Sequence, residues 1–297
     1  MSGAGMIRVG HATEDATSPW RTGAGEGGSG FLVVLVVSAL LAGCAATPSD
    51  ERLHSTLWVQ TSAEYQVSAR QVYLFATERL VQSVAGFPNT VVALGAVDDA
   101  RPPAIIVDVD ETILENSGHT ARSIVARRGY NRESWRAWVQ ESAAPPVPGA
   151  LEYLRAAAAM GVTIFYVTNR EHDLEDATRR NLVALGCPLR SDFDVLLTRR
   201  ERPEWTRDKT TRRKYVAERY SVLQMVGDDL RDFVSIPAGA TDEDRVRLAD
   251  SYGERWGTVW FLLPNPIYGT WEQALMPDGG SMFAQPLEQK FKQLETR

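Results

Sequence analysis

A short apolar stretch that runs into a group of carboxylates is the feature that most constrains the fold of this chain. Residues 104–107 are Ala-Ile-Ile-Val, and Asp108, Asp110 and Glu111 follow them closely. An apolar run behind two prolines predicts a strand buried on both faces, as in a parallel sheet. Asp108 and Asp110 point the same way in an extended chain, so their charges repel unless a metal ion or a proton lies between them. The alternative, for such a pair alone, is a solvated acidic turn.

The chain beyond this strand alternates between short apolar segments and helical patterns. Further strands are predicted over 162–167, 193–198, 222–226 and 258–263. Apolar residues at helical spacing lie between them, for example over 149–160 and 173–185. This alternation predicts an α/β fold, with a doubly wound, Rossmann-like parallel sheet and right-handed crossovers. Side chains that follow the strands should then meet at one edge of the sheet.

Polar residues follow the second predicted strand. Thr168, Asn169 and Arg170 come directly after residues 162–167. A hydroxyl group and a guanidinium group at the end of a strand are groups that a phosphate-binding site uses. This position therefore predicts contacts to an anionic ligand.

A basic segment and a second acidic group complete the set of candidate residues. Lys209 lies in the basic segment 199–214, whose arginines we expect to be exposed to solvent. Asp228 and Asp232 follow the fourth predicted strand. Acidic side chains therefore follow two different strands, which predicts that they share one site.

The amino-terminal region has the pattern of a lipoprotein signal. Residues 31–41 form an apolar segment too short to span a bilayer comfortably, as in the core of a signal peptide. The Leu-Ala-Gly-Cys sequence ending at Cys44 resembles the lipobox of bacterial lipoproteins. We therefore predict a signal region over 1–43 and a lipidated tether over 44–50 that begins with Cys44.

Composition limits the classes of partner. The chain has 38 acidic and 32 basic residues, a formal net charge of −6, whereas a general nucleic-acid binder would be basic. Local cations or a metal ion must therefore attract any anionic substrate. Lipidation of Cys44 would leave Cys187 as the sole thiol, which excludes an internal disulfide.

The mature chain divides into a predicted core and smaller parts. These are a helical appendage (51–100), the core (101–275), a small helical cap within it (about 117–148) and a carboxyl-terminal tail (276–297). The cap contains Trp135 and Trp138, three residues apart and therefore on one helix face. Anchoring in the core is the simpler interpretation of these rings, and stacking on a substrate ring is the alternative.

Taken in order, these sites resemble a known set of motifs. DxDxT, a threonine, a lysine and GDxxxD resemble the four motifs of the haloacid dehalogenase superfamily. The sequences DVDETILEN, PVPGA, FYVTNR, KTTRR, VGDDLRDF and PNPIYGTWE are similar to those of class C bacterial acid phosphatases. The resemblance covers about residues 50–275. It implies the superfamily's sheet and a phosphomonoesterase carried on a lipoprotein.

The resemblance implies roles for individual residues. Asp108 would be the nucleophile that forms an aspartyl-phosphate, and Asp110 would be the general acid and base. Mg²⁺ would be the cofactor, and its predicted ligands are Asp108, Asp228, the backbone carbonyl of Asp110 and, as an additional acidic group, Asp232. The predicted phosphate-binding residues are Thr168, Asn169 and Lys209.

Tyr268 is a further candidate, with Trp135 or Trp138, for stacking on a ring of the substrate. Two positions depart from the family pattern: residue 115 is Glu where Asp is usual, and residue 229 is Asp where Asn is common. The second departure is expected to place another carboxylate beside the metal.

We therefore predict a Mg²⁺-dependent acid phosphatase that hydrolyses small phosphomonoesters, with 5′-nucleotides as a candidate class. The expected location is the bacterial cell envelope, as an outer-membrane lipoprotein that faces the periplasm or the surface. The alternative is a non-catalytic binding or storage protein on the same scaffold. Such a protein should lack the nucleophile, and this chain has both Asp108 and Asp110. The sequence makes no prediction of the oligomeric state.

Overall fold

The structure, a computed structural model, describes residues 50–86, 91–95, 100–275 and 294. The predicted signal region, Cys44 and the tether up to residue 49 lie outside the described residues. The predicted tail (276–297) also lies outside them, apart from residue 294. In the part of the chain that is described, no helix is both long enough and apolar enough to cross a membrane.

A parallel sheet of five strands lies at the centre of the described chain. The strands are β1 (Pro103–Val107), β2 (Thr163–Glu171), β3 (Leu196–Arg199), β4 (Ser221–Gly227) and β5 (Trp260–Leu262). They lie in the order β3-β2-β1-β4-β5, and each neighbouring pair is parallel. The predicted α/β fold is thus confirmed. The strand order changes direction between β1 and β4, which opens a crevice at their carboxyl ends.

Helices surround this sheet. They are α1 (Arg52–Thr61), α2 (Ala63–Val84), α3 (Ser117–Val125), α4 (Arg132–Glu141), α5 (Ala150–Ala159), α6 (Glu175–Ala184), α7 (Thr210–Ala217), α8 (Asp242–Asp250) and α9 (Trp271–Ala274). Ser62 ends α1 and caps α2, because its hydroxyl accepts a hydrogen bond from the amide of Tyr65. Helices α3 and α4 occupy the segment predicted as a cap.

Two strand boundaries differ from the prediction by three residues or more. β2 extends past residue 167 to Glu171, because Glu171 pairs with Arg199 of β3 beyond an irregularity in the register. β3 begins at Leu196 instead of residue 193. The Asp194 carboxylate accepts a hydrogen bond from the amide of Leu196, so a turn stabilised by this side chain precedes the strand.

The amino-terminal helix α2 packs directly against the sheet. Ala69, Tyr73, Ala76 and Leu80 recur at helical spacing, are buried, and belong to the same hydrophobic cluster as the strands. The Tyr73 hydroxyl donates to the carbonyl of Thr112, in the loop after β1. This helix therefore supports the loop that carries the predicted catalytic residues.

A buried glutamine joins β4 to the helices on this face. The amide of Gln224 donates to the Ala76 carbonyl at 3.0 Å, and its carbonyl oxygen accepts from the Tyr153 hydroxyl at 2.8 Å. All three groups are buried in the core. Because an unpaired buried polar group is costly, these bonds fix α2 and α5 against the sheet.

Candidate active site

The loop after β1 turns sharply and aims two carboxylates at the crevice. The amide of Asp108 donates to the carbonyl of Val226 at 2.9 Å, which continues the ladder between β1 and β4. Glu111 then adopts a left-handed backbone with φ of 58°. Its buried carboxylate accepts from the backbone amide of Asn116 at 2.8 Å and from the Asn116 side chain at 3.2 Å. These bonds fold residues 111–116 into a compact loop.

A buried ammonium group lies beside the first aspartate. Lys209 directly precedes α7, and its Nζ contacts Asp108 and also Asp232, the latter at 2.7 Å. Burial acts to lower the pKa of Lys209, but the two carboxylates outweigh this effect and raise the pKa above its ordinary value. The lysine therefore stays charged in the site.

Negative charge exceeds positive charge around Lys209. Burial raises the pKa of Asp108 to about 7, and Asp232 and Asp110 add to this effect while Lys209 opposes it. Burial, followed by the charges of Asp232 and Asp108, raises the pKa of Asp228 well above its ordinary value. A site that raises carboxylate pKa values in this way favours the binding of a proton or a metal ion.

Three carboxylates form a group that could hold a metal ion. One carboxylate oxygen from each of Asp108, Asp228 and Asp232 lies within 4.8 Å of the other two, beyond the ends of β1 and β4. Oxygen donors and excess negative charge suit a hard divalent cation. The residues therefore fit the metal that the sequence resemblance implies.

The members of this group have different partners. One Asp232 oxygen accepts from Lys209, and the other accepts from the amides of Asp228 and Asp229 at 3.2 and 3.0 Å. A side chain at Gly227 would overlap Asp232, because an added Cβ would lie 2.3 Å from its Oδ2. Asp232 thus holds Lys209 and the backbone of Asp228 in place. The side chains of Asp108 and Asp228 are better placed as direct metal ligands.

A residue that the sequence analysis missed orients Asp228. The amide of Asn265, in the loop after β5, donates to Asp228 Oδ2 at 2.8 Å. Asn265 lies in the PNPIYGTWE segment, which was noted for its resemblance, but nothing in the sequence indicated its partner. It fixes the direction of one metal-binding candidate.

The end of β2 brings a hydroxyl group to the same site. Thr168 is fully buried, and its Oγ1 accepts a hydrogen bond from the amide of Arg170 at 3.0 Å and lies 3.4 Å from Asp110 Oδ2. The hydroxyl hydrogen can therefore be donated into the site. Asn169 is exposed, and its side-chain oxygen accepts from Arg212 at 2.8 Å.

The Arg170 guanidinium forms an ion pair with Asp110, whereas the sequence suggested a contact to an anionic ligand. Its Nε and Nη2 lie 2.9 and 2.8 Å from Asp110 Oδ1. The Arg170 side chain is buried, so the pair lies in the wall of the site.

The chain is similar in sequence and in fold to known phosphatases. A family model for subfamily IIIB of the haloacid dehalogenase superfamily, the acid phosphatases, matches residues 43–271. The chain belongs to this subfamily. It is similar to the class C acid phosphatase of Bacillus anthracis, at 28% identity and a TM-score of 0.71, over 83% of this chain and 98% of that one. A structure of the same enzyme with tungstate bound matches at 27% identity with the same TM-score and coverage. The predicted resemblance and the predicted phosphomonoesterase class are confirmed.

Two arginines of this acid phosphatase contradict the expectation that its basic segment is solvated. Arg212 and Arg213 are buried. Arg212 donates to the carbonyls of Thr168 and Thr206, and Arg213 donates to the carbonyls of Arg231 and Asp232. These guanidinium groups satisfy backbone carbonyls at the ends of β2 and β4, which explains why they are buried.

The aromatic candidates of the phosphatase have different surroundings. Trp135 is half-buried, and its ring faces the Arg170 guanidinium at 5.7 Å from the centroid. Trp138 is buried and donates from its indole nitrogen to Asn116 at 2.8 Å. Tyr268 is half-buried and donates from its hydroxyl to Glu111. Stacking of these rings on a substrate stays a prediction.

Asp229, the position that departs from the family pattern, adds negative charge beside Asp228 and contributes to the raised pKa of that residue. Its carboxylate accepts from the amide and the hydroxyl of Thr270 at 2.6 and 2.5 Å, and from the amide of Arg231 at 2.9 Å. Among the described residues it is not part of the potential metal group. It joins the loop after β5 to the loop after β4.

Proposed function

We propose that this acid phosphatase is a Mg²⁺-dependent enzyme that hydrolyses phosphomonoesters through an aspartyl-phosphate, and that 5′-nucleotides are among its substrates. The observation that carries the proposal is the convergence of Asp108, Asp110, Lys209 and Thr168 at the carboxyl ends of β1 and β2. This set provides a nucleophile, an acid, a cation and a hydroxyl donor around one point.

In the first step, a carboxylate oxygen of Asp108 attacks phosphorus and the bond to the leaving oxygen breaks. The proton carried by Asp110 moves to that oxygen, so an alcohol departs and Asp110 becomes a carboxylate. Lys209 lies against Asp108 and can also interact with a phosphoryl oxygen. The Thr168 hydroxyl supplies a second donor.

In the second step, water attacks the phosphorus of the aspartyl-phosphate. Asp110 accepts a proton from that water, which restores its acid form, and the bond between phosphorus and Asp108 breaks. Inorganic phosphate is released and the Asp108 carboxylate is restored. One residue thus serves as acid and then as base, which requires a carboxyl group close to both the leaving oxygen and the water.

Mg²⁺ is the proposed metal, held by the carboxylates of Asp108 and Asp228 and the backbone carbonyl of Asp110. When bound, it would offset negative charge on the phosphoryl oxygens. Asn265 and Asp232 would keep the Asp228 side chain and backbone in position for this role.

Phosphate release from a panel of esters tests the proposal. The protein is assayed with 5′-nucleotides and a generic aryl phosphate, with EDTA or with added Mg²⁺, from acidic to neutral pH. We expect turnover that EDTA abolishes and Mg²⁺ restores. Faster turnover of nucleotides than of simple alkyl phosphates would support stacking at Trp135 or Tyr268. No turnover of any ester by folded, metal-replete protein would instead support the binding role.

The stability gained from Mg²⁺ should depend on pH. The pKa of Asp108 is raised from 3.8 to about 7, and that of Asp228 is raised as well, so the metal-free folded protein holds protons that the unfolded chain releases. The stabilisation of the metal-free protein by these bound protons is complete below the ordinary aspartate pKa. It is lost as the pH rises through the raised pKa values. Because metal binding needs deprotonated ligands, Mg²⁺ should raise Tm more at about pH 7.5 than at about pH 5.

Thermal unfolding with and without Mg²⁺ at both pH values measures this difference. The Asp228→Asn variant is the control, because it removes a charged ligand and should lose most of the Mg²⁺-dependent rise. An equal rise at both pH values would contradict the assignment of these carboxylates as ligands.

We further propose that the enzyme is attached to the bacterial cell envelope through a lipid on Cys44, facing the periplasm or the surface. The apolar segment 31–41 and the Leu-Ala-Gly-Cys sequence support this proposal. The Cys44→Ser variant should lose incorporation of labelled fatty acid and leave the membrane fraction, whereas a Cys187→Ser control should keep both. Labelling of the Cys44→Ser variant would exclude this lipid site.

A further inference from the structure

The two oxygens of the Asp110 carboxylate have very different surroundings. Oδ1 accepts hydrogen bonds from Arg170 Nε at 2.9 Å and Asn116 Nδ2 at 3.0 Å, and its ion pair with Arg170 Nη2 has a distance of 2.8 Å. Within the described residues, Oδ2 has one polar contact, the Thr168 hydroxyl at 3.4 Å. These contacts use the acceptor capacity of Oδ1, so Oδ2 is the oxygen available to carry the proton that is transferred.

The Arg170 guanidinium is itself held in place. Its exposed fraction is 2%. Its Nη1 lies 3.2 Å from Thr178 Oγ1 on α6, its Nη2 lies 3.4 Å from Asn116 Oδ1, and the ring of Trp135 on α4 covers it. A planar group with partners on three sides cannot turn toward a phosphoryl group without breaking these contacts.

The backbone of the same residue orients a second group. The amide of Arg170 donates to Thr168 Oγ1 at 3.0 Å, so the threonine hydroxyl accepts there and directs its own hydrogen elsewhere. Arg170 lies in the irregular part of β2 between Val167 and Glu171, which both pair with β3. One arginine therefore orients the proposed acid through its side chain and a proposed phosphate donor through its backbone.

We propose that Arg170 is a positioning residue that holds Asp110 Oδ2 toward the leaving oxygen, and that it determines how well the enzyme hydrolyses esters with poor leaving groups. This inference rests on the proposed function, in which Asp110 protonates the departing alcohol. The proton passes from Oδ2 to the leaving oxygen while the bond between that oxygen and phosphorus breaks. Arg170 takes no part in bond making and does not touch the phosphoryl group.

The consequence differs between two classes of ester. An alkyl alcohol is a poor leaving group and needs the proton as its bond breaks, whereas a nitrophenol departs readily without it. Correctly placed acids contribute about 10²–10⁴-fold to rate. Displacement of Oδ2 should therefore slow alkyl esters strongly and aryl esters weakly. A phosphate-binding arginine would behave differently, because its loss would raise KM for both classes.

The test compares 4-nitrophenyl phosphate with glycerol 2-phosphate in the Mg²⁺-loaded enzyme. Hydrolysis of the aspartyl-phosphate is common to both esters, so the quantity compared is kcat/KM, which reports formation of that intermediate. For Arg170→Gln, we expect kcat/KM for the alkyl ester to fall on the order of 10²-fold more than kcat/KM for the aryl ester. Arg170→Lys keeps the charge but not the planar donor pair, so the difference between its losses for the alkyl and the aryl ester should be intermediate. Arg180→Gln on the exposed face of α6 is the matched control and should leave both rates unchanged.

Each outcome has a definite meaning. Equal losses of kcat/KM for the two esters would overturn the positioning role. Absence of turnover by the unaltered enzyme on either ester would count against the proposed function instead. If Arg170→Gln does not fold, Thr178→Val removes the partner of Arg170 Nη1, together with the hydrogen bond from Thr178 Oγ1 to the Leu174 carbonyl in the turn before α6. That variant should also lose more activity on the alkyl ester than on the aryl ester, by a smaller factor. Equal losses on the two esters would overturn the inference.

Discussion

Replacing Asp108 with Asn should lower the rate of phosphate release by about 10⁴-fold or more, because an amide cannot act as the nucleophile that forms the covalent intermediate. The side chain keeps its shape, and its oxygen can still accept from Lys209. Asp108 is buried in a site where negative charge is in excess, so loss of one charge should not destabilise the fold. We therefore expect a folded but inactive protein.

Steady-state assays of Asp108→Asn, with circular dichroism to check the fold, measure this effect. Asp176→Asn, at an exposed position on α6, is the matched control and should keep full activity. Acid quenching of the unaltered enzyme with labelled substrate should trap phosphate on the protein, and Asp108→Asn should trap none. Rates close to those of the unaltered enzyme would exclude Asp108 as the nucleophile.

Replacing Lys209 with Met should damage both activity and stability. The ammonium group lies between Asp108 and Asp232, and no other cation among the described residues forms an ion pair with either. Loss of a preorganised cation of this kind costs about 10²–10³-fold in kcat. Removal of one partner from a buried ion pair also costs about 3–5 kcal/mol of unfolding free energy, because the remaining charges stay buried.

Kinetics and urea unfolding of Lys209→Met, at neutral pH with and without Mg²⁺, measure the two effects. The exposed Lys214 lies on α7 a few residues away, so Lys214→Met is the matched control and should change neither quantity. Protonation of Asp108 relieves the unpaired charge, so the stability loss should shrink as the pH falls below about 7. Normal kcat together with reduced stability would contradict a catalytic role for Lys209 and would indicate a structural role alone.

The sequence was sufficient to predict the edge of the sheet at which the site lies. The prediction used apolar segments that are followed by Asp108, Thr168 and Asp228. It also used the rule that parallel strands present their carboxyl ends at one edge of the sheet. Strand ends were predicted less well. Glu171 extends β2 through pairing with Arg199, and Asp194 delays β3 through a side-chain hydrogen bond. Both depend on partners that periodicity does not reveal.

The partners of individual side chains could not be predicted. Arg170 was expected to face an anionic ligand and Arg212 to face solvent, yet both are buried against the protein's own acceptors. A guanidinium group can reach several acceptors several Å away, and the choice depends on where neighbouring elements lie in three dimensions. Asn265 orients Asp228 across 37 residues of sequence for the same reason.

The bond between α2 and β4 has a consequence for the order of folding. The Gln224 side chain donates to the Ala76 carbonyl across 148 positions, and the Trp260 indole donates to the Ala93 carbonyl across 167. Such distant contacts form late, because a long loop must close before they stabilise the chain. Helix α2 packs against α5 as well as against β4 and β5, so the part of its apolar face that meets these two strands is covered only after they are synthesised. A chain interrupted before residue 221 would leave that part exposed, which favours aggregation and degradation over accumulation of a partial enzyme.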